Sequence, residues 1–250
     1  MTKREINKER KKLLNFFSKL KFNEEKHEYR VDEKVLPSVS SLLKNFYDEF
    51  EKDKVSYNYA LKHTFSQEDV LSAWDGENKK STTEGSRVHL FGEDFATAKY
   101  FANSKTPLPM SKQDLGIIQW WIDMIDDTPF LIPLVLELQM FNLKLGYAGT
   151  ADIILLDIRD MSLIIADYKT NKELFDNFAG KKLKIADLLD TNFNKYQLQL
   201  SFYQILLEEI GYKIKRRVII WLKDDKETGK LYQNFPTQDF TKELRQFLTR

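Results

Sequence analysis

The sequence predicts an α/β protein, with a mixed β-sheet core flanked by helices and a helical N-terminal region before it. Three observations carry that expectation. Up to Pro133 the chain reads as charged, aromatic-rich helical segments, whereas VLELQMFN, TADIILLD and SLIIADYK beyond it are strand-like runs. The segments between those runs, LKLGYAG and IRDM, are short enough for hairpins or tight turns, and a long helical run and a fourth strand-like run, RVIIWL, follow. No proline interrupts residues 134–235, so nothing in that stretch bars a continuous sheet.

Each element has its own signal. Ile6, Leu13, Leu14, Phe17 and Leu20 form a helical stripe over residues 5–20, with a basic opposite face. Alternation in His27–Val31 and a turn at Asp32-Glu33 predict a small hairpin that ends at Pro37. Ser38 or Ser40 is then placed to cap a helix beginning near Val39, and residues 41–80 read as further helices. Thr82 or Thr83 would cap a helix over residues 84–103, which ends at the breaker TPLP. The next helix, over residues 112–125, carries Trp120 and Trp121 and stops before Pro129. A last long helix, over residues 195–210, is closed by Gly211. With no internal repeat or low-complexity linker, one domain over residues 1–250 is expected. It divides into an N-terminal elaboration (1–133), an α/β core (134–223) and a C-terminal extension (224–250).

Composition removes several function classes. The 250 residues are 42% hydrophobic, 31% charged and 13% aromatic, the make-up of a soluble globular protein. Zero cysteine excludes disulfides, zinc ribbons, thiol catalysis and a cysteine-ligated iron–sulfur cluster. Three histidines, His27, His63 and His89, argue against a histidine-rich zinc site. No apolar run approaches the ~20 residues of a membrane helix, and the N-terminus lacks the apolar core of a signal peptide. The lysine-rich start imitates a transit peptide, yet it carries Glu5 and Glu9 and little serine. A cytoplasmic location is therefore expected, with a mitochondrial one as the alternative.

The formal charge of +1 is a sum of opposed parts. Residues 1–22 carry eight Lys/Arg against two acids, residues 211–250 ten against five, and the middle 21 against 31. Basic ends around an acidic middle fit phosphate-contacting surfaces around a metal centre, or simply solvated helix faces.

Within the middle, Asp152 interrupts TADIILL and Asp167 ends the apolar run LIIA. A carboxylate in a half-buried strand needs a partner or a metal. Lys169 lies two residues beyond Asp167 and so shares its strand face. Two strand carboxylates can hold Mg²⁺ and leave room for a water and a phosphate oxygen, with a lysine to orient or deprotonate the water or to stabilise charge. An isolated Asp-x-Lys is short and common, and by itself reads first as a structural ion pair of Asp167 or Asp152 with Lys169. His89 and Glu93 stand four residues apart on one helix face, and so do Gln199 and Tyr203.

Taken in order, these pieces resemble the PD-(D/E)XK nuclease superfamily, in particular its RecB-like exonuclease branch. GSRVHLFGE matches a G-x-x-x-H helix through Gly85 and His89, and GYAGTADIILLD matches a G-x-x-D strand. LIIADYKTNK matches the D/E-x-K strand, and QLQLSFYQ a Q-x-x-x-Y helix through Gln199 and Tyr203. The match spans residues 85–203, about half the chain, and KHEYRVDEKVLPSVSSLL extends it toward phage-type and mitochondrial-genome-maintenance-type exonucleases.

The resemblance implies a restriction-endonuclease-like sheet and a role for each residue. Asp152 and Asp167 would be the metal carboxylates, His89 and the backbone carbonyl of Tyr168 further ligands, and Lys169 the catalytic lysine. Glu93 would face the same site, Gln199 and Tyr203 would brace it or touch the nucleic acid, and Glu137 would be an additional acidic member. The implied activity is Mg²⁺- or Mn²⁺-dependent hydrolysis of DNA, most simply by an exonuclease on single strands or duplex ends. A structure-specific endonuclease and a catalytically silent nucleic-acid-binding protein are the alternatives. A protein partner from recombination or replication would be in keeping with that activity. The chain has no cysteine cluster for an iron–sulfur centre and no G-x-x-x-x-G-K-[ST] loop for ATP, and no membrane association is expected.

Three further groups of residues each admit two roles. Ser38, Ser40 and Ser41 can bind a phosphate or merely cap a helix. Lys172, Lys181, Lys182 and Lys184 can track a DNA backbone or keep the surface solvated. Trp74, Trp120, Trp121 and Trp221 are expected in the core rather than as stacking platforms.

Overall fold

A reciprocal pair of hydrogen bonds starts the chain: Thr2 Oγ1 accepts from the Glu5 N–H, and Glu5 accepts from the Thr2 N–H. This capping box opens α1 (Lys3–Phe16). The computed structural model of the protein describes residues 1–177 and 180–249, so Arg250 of the basic C-terminal group lies outside it. Leu20 belongs not to the expected helix but to β1 (Leu20–Asn23), which adds a third strand to the hairpin of β2 (Glu28–Val31) and β3 (Lys34–Leu36). Asp32, at φ +50°, makes the hairpin turn. Ser38 is the cap of α2 (Val39–Leu43), through the Ser41 N–H at 3.0 Å, while Ser40 is exposed.

After α3 (Lys52–His63) comes α4 (Gln67–Ala96), a single helix of 30 residues capped by Ser66. The break expected at Thr82 or Thr83 does not occur. No proline stands in this stretch, and Gly76 and Gly85 each cost only about 1 kcal/mol in a helix, too little to stop one anchored further on. Its second half buries Val88, Phe91 and Phe95, and a π-type turn (Thr97–Ala102) ends it. Arg87 on α4 clamps the fully buried Asp114 at 2.9 and 3.0 Å, and Asp114 also completes the capping box of α5 (Lys112–Trp121).

Five strands and two helices complete the eight strands and seven α-helices among the described residues: β4 (Leu131–Asn142), β5 (Tyr147–Asp157), β6 (Ser162–Lys169), α6 (Asn192–Glu208), β7 (Ile214–Trp221), β8 (Gln233–Pro236) and α7 (Thr241–Leu248). The main sheet has the order β4-β5-β6-β7-β8, antiparallel except for the parallel β6–β7 pair that α6 connects. The α/β expectation with a mixed sheet is met. Strand β4 begins two residues before Pro133, because it is an edge strand and the register shifts at Pro133/Val135. The C-terminal stretch supplies the fifth strand and a helix that packs on α6.

Helices cover both faces. Ile154, Leu156, Ile165 and Ile219 meet α6, α2 and α1, whereas Ile153, Leu155, Ile164, Ala166, Tyr168 and Ile220 meet α4 and α5. Helix α6 is buried nearly all round from Gln197 to Leu207, with Gln197, Ser201 and Gln204 buried among the apolar side chains, as a helix between the sheet and the N-terminal elements must be. The small sheet packs its Leu20, Tyr29, Val31 and Leu36 on Ala148 and Phe141 of the β4–β5 hairpin. No helix among the described residues is long and apolar enough to cross a membrane.

Two glycines permit close layers. A Cβ on Gly92 would stand 2.8 Å from the Tyr168 ring, and one on Gly149 would stand 2.7 Å from the Tyr203 ring and 2.9 Å from Val39. Gly149→Ala is therefore expected to destabilise the protein by about 1–3 kcal/mol. Urea denaturation measures the loss, and an unchanged midpoint would contradict this packing.

Candidate metal centre

Strands β5 and β6 pair from Asp157↔Ser162 as far as Ile153↔Ala166 and then part. Past that rung β5 continues beside β4, and β6 beside β7. Asp152 and Asp167 are the first residues beyond it. The fork leaves the Tyr168 N–H free of the ladder, and Asp152 Oδ2 accepts from it at 2.9 Å. By strand alternation both aspartates point to the face covered by α6. His89 comes from α4 on the opposite face, yet its Nδ1 lies 3.1 Å from Asp152 Oδ2. The contact passes through the opening, beside the Tyr168 ring, which His89 meets edge-on at 5.9 Å.

Glu137 lies opposite Asp152 in the β4–β5 register, but its φ of +46° takes it out of the ladder. A left-handed glutamate costs about 1 kcal/mol, and the twist re-aims its side chain. His89, Glu137 and Asp152 each offer one ligand atom, and these atoms all lie within 4.8 Å of one another. Asp167 stands beside this trio with its Oδ2 on the Lys169 ammonium. No group among the described residues gives that buried oxygen a well-directed hydrogen bond. Lys169 is further held 4.4 Å from the centre of the Tyr196 ring.

Charge in the fork is strongly perturbed. Burial, reinforced by the Asp152 carboxylate, pushes Glu137 up to about 8. The same two causes raise Asp167 to about 6 against the pull of Lys169. Burial also opposes the charge on Asp152, but His89, Lys169 and the Tyr168 N–H hold it below the ordinary range. His89 is drawn the other way: burial disfavours its charge, and Asp152 nevertheless raises it to about 9. At Lys169 burial again opposes the charge, and Asp167 outweighs it and raises the group. Three carboxylates thus face two cations in a poorly solvated space, and oxygen donors with one imidazole suit a hard divalent cation.

Around the fork, Gln199 donates to the Tyr203 hydroxyl at 2.7 Å, and the buried Tyr203 ring lies on Gly149. Glu93, one turn beyond His89, is raised mainly by burial and lies outside the 4.8 Å trio. The Ser38 oxygen is occupied by its capping role. Three site side chains are not singled out by the sequence: Tyr196, Thr150 and Tyr29, whose hydroxyl meets Thr150 Oγ1 at 2.8 Å. Thr150 had a signal, since it stands two residues before Asp152 on the same face. Tyr29 had none, because it arrives from the small sheet.

A cleft of about 940 Å³ leads to this centre between α4 and the Thr170–Glu173 segment, reaching His89, Tyr168 and Lys169. A second depression of about 810 Å³ lies on the basic face of α1, lined by Arg4, Lys8, Lys11 and Lys12. Lys172, Lys182 and Lys184 pair with Glu77, Asp187 and Asp48, and Lys181 is exposed. Trp120, Trp121 and Trp221 are core residues, whereas Trp74 is only half-buried.

Mn²⁺ or Mg²⁺ at millimolar concentration is expected to raise the Tm of the chain, and less so in Glu137→Gln and Asp152→Asn. An unshifted wild-type Tm would reject the trio as a metal centre. Without metal, the pH dependence has a definite sign. The stability contributed by the Glu137 proton is complete below its ordinary 4.5 and lost as pH rises through about 8. That of His89 is complete below 6.5 and lost through about 9. In EDTA the Tm should therefore fall between about pH 4.5 and pH 9, and Glu137→Gln should flatten the part below about pH 8.

No family model matches the chain, and no curated protein matches it. Among the solved structures that match, one described as the crystal structure of SSO0001 covers 100% of this chain and 83% of its own, at 14% identity and a TM-score of 0.36. A likeness at that level bears on neither fold nor function.

Proposed function

We propose that the chain is a metal-dependent deoxyribonuclease of the PD-(D/E)XK kind, most simply an exonuclease acting on single-stranded DNA or DNA ends. One observation carries this reading. The Asp of the G-x-x-D strand, the D-x-K strand and the histidine of the G-x-x-x-H helix meet at one fork, at the end of a cleft. An ion pair alone would need neither the His89 contact through the opening nor a strained Glu137 beside it.

The donor set fits the implied cation. His89, Glu137 and Asp152 would hold Mg²⁺ or Mn²⁺, with Asp167 beside them offering a buried oxygen short of donors. When bound, the ion supplies Lewis-acid polarisation of a phosphoryl oxygen and neutralises charge. The protein's own groups do the rest. The Lys169 ammonium, steadied by Asp167 and the Tyr196 ring, orients the attacking water and stabilises charge that develops on the phosphate. Tyr203 and Gln199 brace the α6 side, and the Tyr168 N–H fixes Asp152.

The test is digestion of end-labelled single-stranded, blunt, overhang and circular DNA with Mg²⁺. Linear strands should shorten from an end and circles should persist, while EDTA stops the reaction. Lys169→Ala and Asp152→Asn should each lower the rate by about 10²–10³-fold or more, with DNA binding retained. Chelator-resistant cleavage, or full activity in either variant, would sink the reading, and loss of circles would move it to an endonuclease.

A further inference from the structure

The outer half of α4 carries a feature that the site does not use. Trp74, Asn78, Ser81, Gly85 and His89 recur every three or four residues, so at 100° per residue they lie within an arc of about 80°. The last four line the cleft wall, and Trp74 continues their stripe by one turn. Phe50 packs against Trp74 at 6.2 Å, and Tyr59 meets it edge-on at 5.9 Å, itself backed by His63 at 4.3 Å. These rings do not close a core: Phe50 is 62% exposed and Tyr59 42%. The other three tryptophans are at most 6% exposed, so Trp74 is the one that is only half-buried.

We infer that Trp74 and Phe50 form a stacking platform for the bases of single-stranded DNA, from which the α4 stripe leads the strand to the fork. The inference rests on the nuclease reading for its ligand, and its occupant follows from continuity with the cleft. The exposed Phe50 and the half-buried Trp74 stand at the outer end, Asn78 and Ser81 along the wall, and Lys169 at the inner end. Flat rings followed by a polar track are what a strand needs if it is bound without regard to sequence. The Lys172–Glu77 pair joins the two cleft walls, but both side chains are more than half exposed, so it is a weak barrier to entry. From Trp74 to His89 the helix rises about 22 Å, roughly six nucleotides at the ~3.4 Å rise of stacked bases. A trinucleotide at the fork would not reach the platform.

That length dependence is the test. The full-length chain is titrated in EDTA into fluorescein-labelled oligothymidylates of 3 and 12 nucleotides, and anisotropy gives the affinity. Trp74→Ala and Phe50→Ala should each weaken 12-mer binding roughly tenfold. Trp74→Phe should stay near wild type, and the trimer should bind all variants alike. Because Trp74 also touches α3, circular dichroism melting accompanies each titration, and the exposed Phe50 provides a variant whose folding is not at stake. Equal 12-mer affinity in wild type and Phe50→Ala overturns the platform. So does a wild type that fails to bind the 12-mer, or a loss of equal size on the trimer. Mg²⁺-dependent cleavage of the same 12-mer separates the two readings. Cleavage with unchanged affinity in the ring variants overturns the platform alone, and loss of affinity with no wild-type cleavage overturns the nuclease alone.

Discussion

Everything at the candidate centre depends on where β5 and β6 stop pairing. A closed ladder through Asp152 and Asp167 would bury two carboxylates face to face, with His89 kept on the far side of the sheet. Ending the ladder at Ile153↔Ala166 opens a gap at that level. The gap admits His89 to Asp152 and turns the Tyr168 N–H into a donor for the same carboxylate. The neighbouring rungs make the fork affordable: Ile153 to Leu156 are buried on both faces, so the strands are held firmly up to the last pair.

Partial neutralisation leaves the fork unbalanced, which separates it from the other buried ion pairs. Asp114 is fully buried where Asp152 is nearly so, but Arg87 clamps it with two hydrogen bonds and the Ser111 and Met110 amides complete its shell. In the fork no comparable shell surrounds Asp167 Oδ2, and Glu137 keeps a proton to a pH where carboxylates are ordinarily ionised. A folding requirement alone does not favour such an arrangement, since apolar side chains of similar size would cost less.

The sequence made the sheet and the axial chemistry legible because both obey short periods. Strand alternation fixed the faces of Asp152, Asp167 and Lys169, and helical spacing joined Gln199 to Tyr203. Long-range and backbone events were not legible. Nothing local announces that Glu137 adopts a left-handed φ, or that Tyr29 reaches Thr150 from 121 residues away. The missed continuity of α4 has a similar origin: capping residues such as Thr82 and Thr83 permit a helix start, but packing at Val88 to Phe95 and the Arg87 clamp decide that the helix runs through.

That continuity gives α4 two differently anchored halves. The Arg87–Asp114 clamp holds the helix two residues from His89 and thirteen from Trp74, about 3 Å and about 20 Å along the axis. Beyond the clamp Val88, Phe91 and Phe95 set the helix into the core. Its outer half instead meets α3, where Gln67 donates to Ser56 and Asp75 accepts from Lys52. The imidazole thus takes its registration with Asp152 from the core, while Trp74 takes its position from a surface helix.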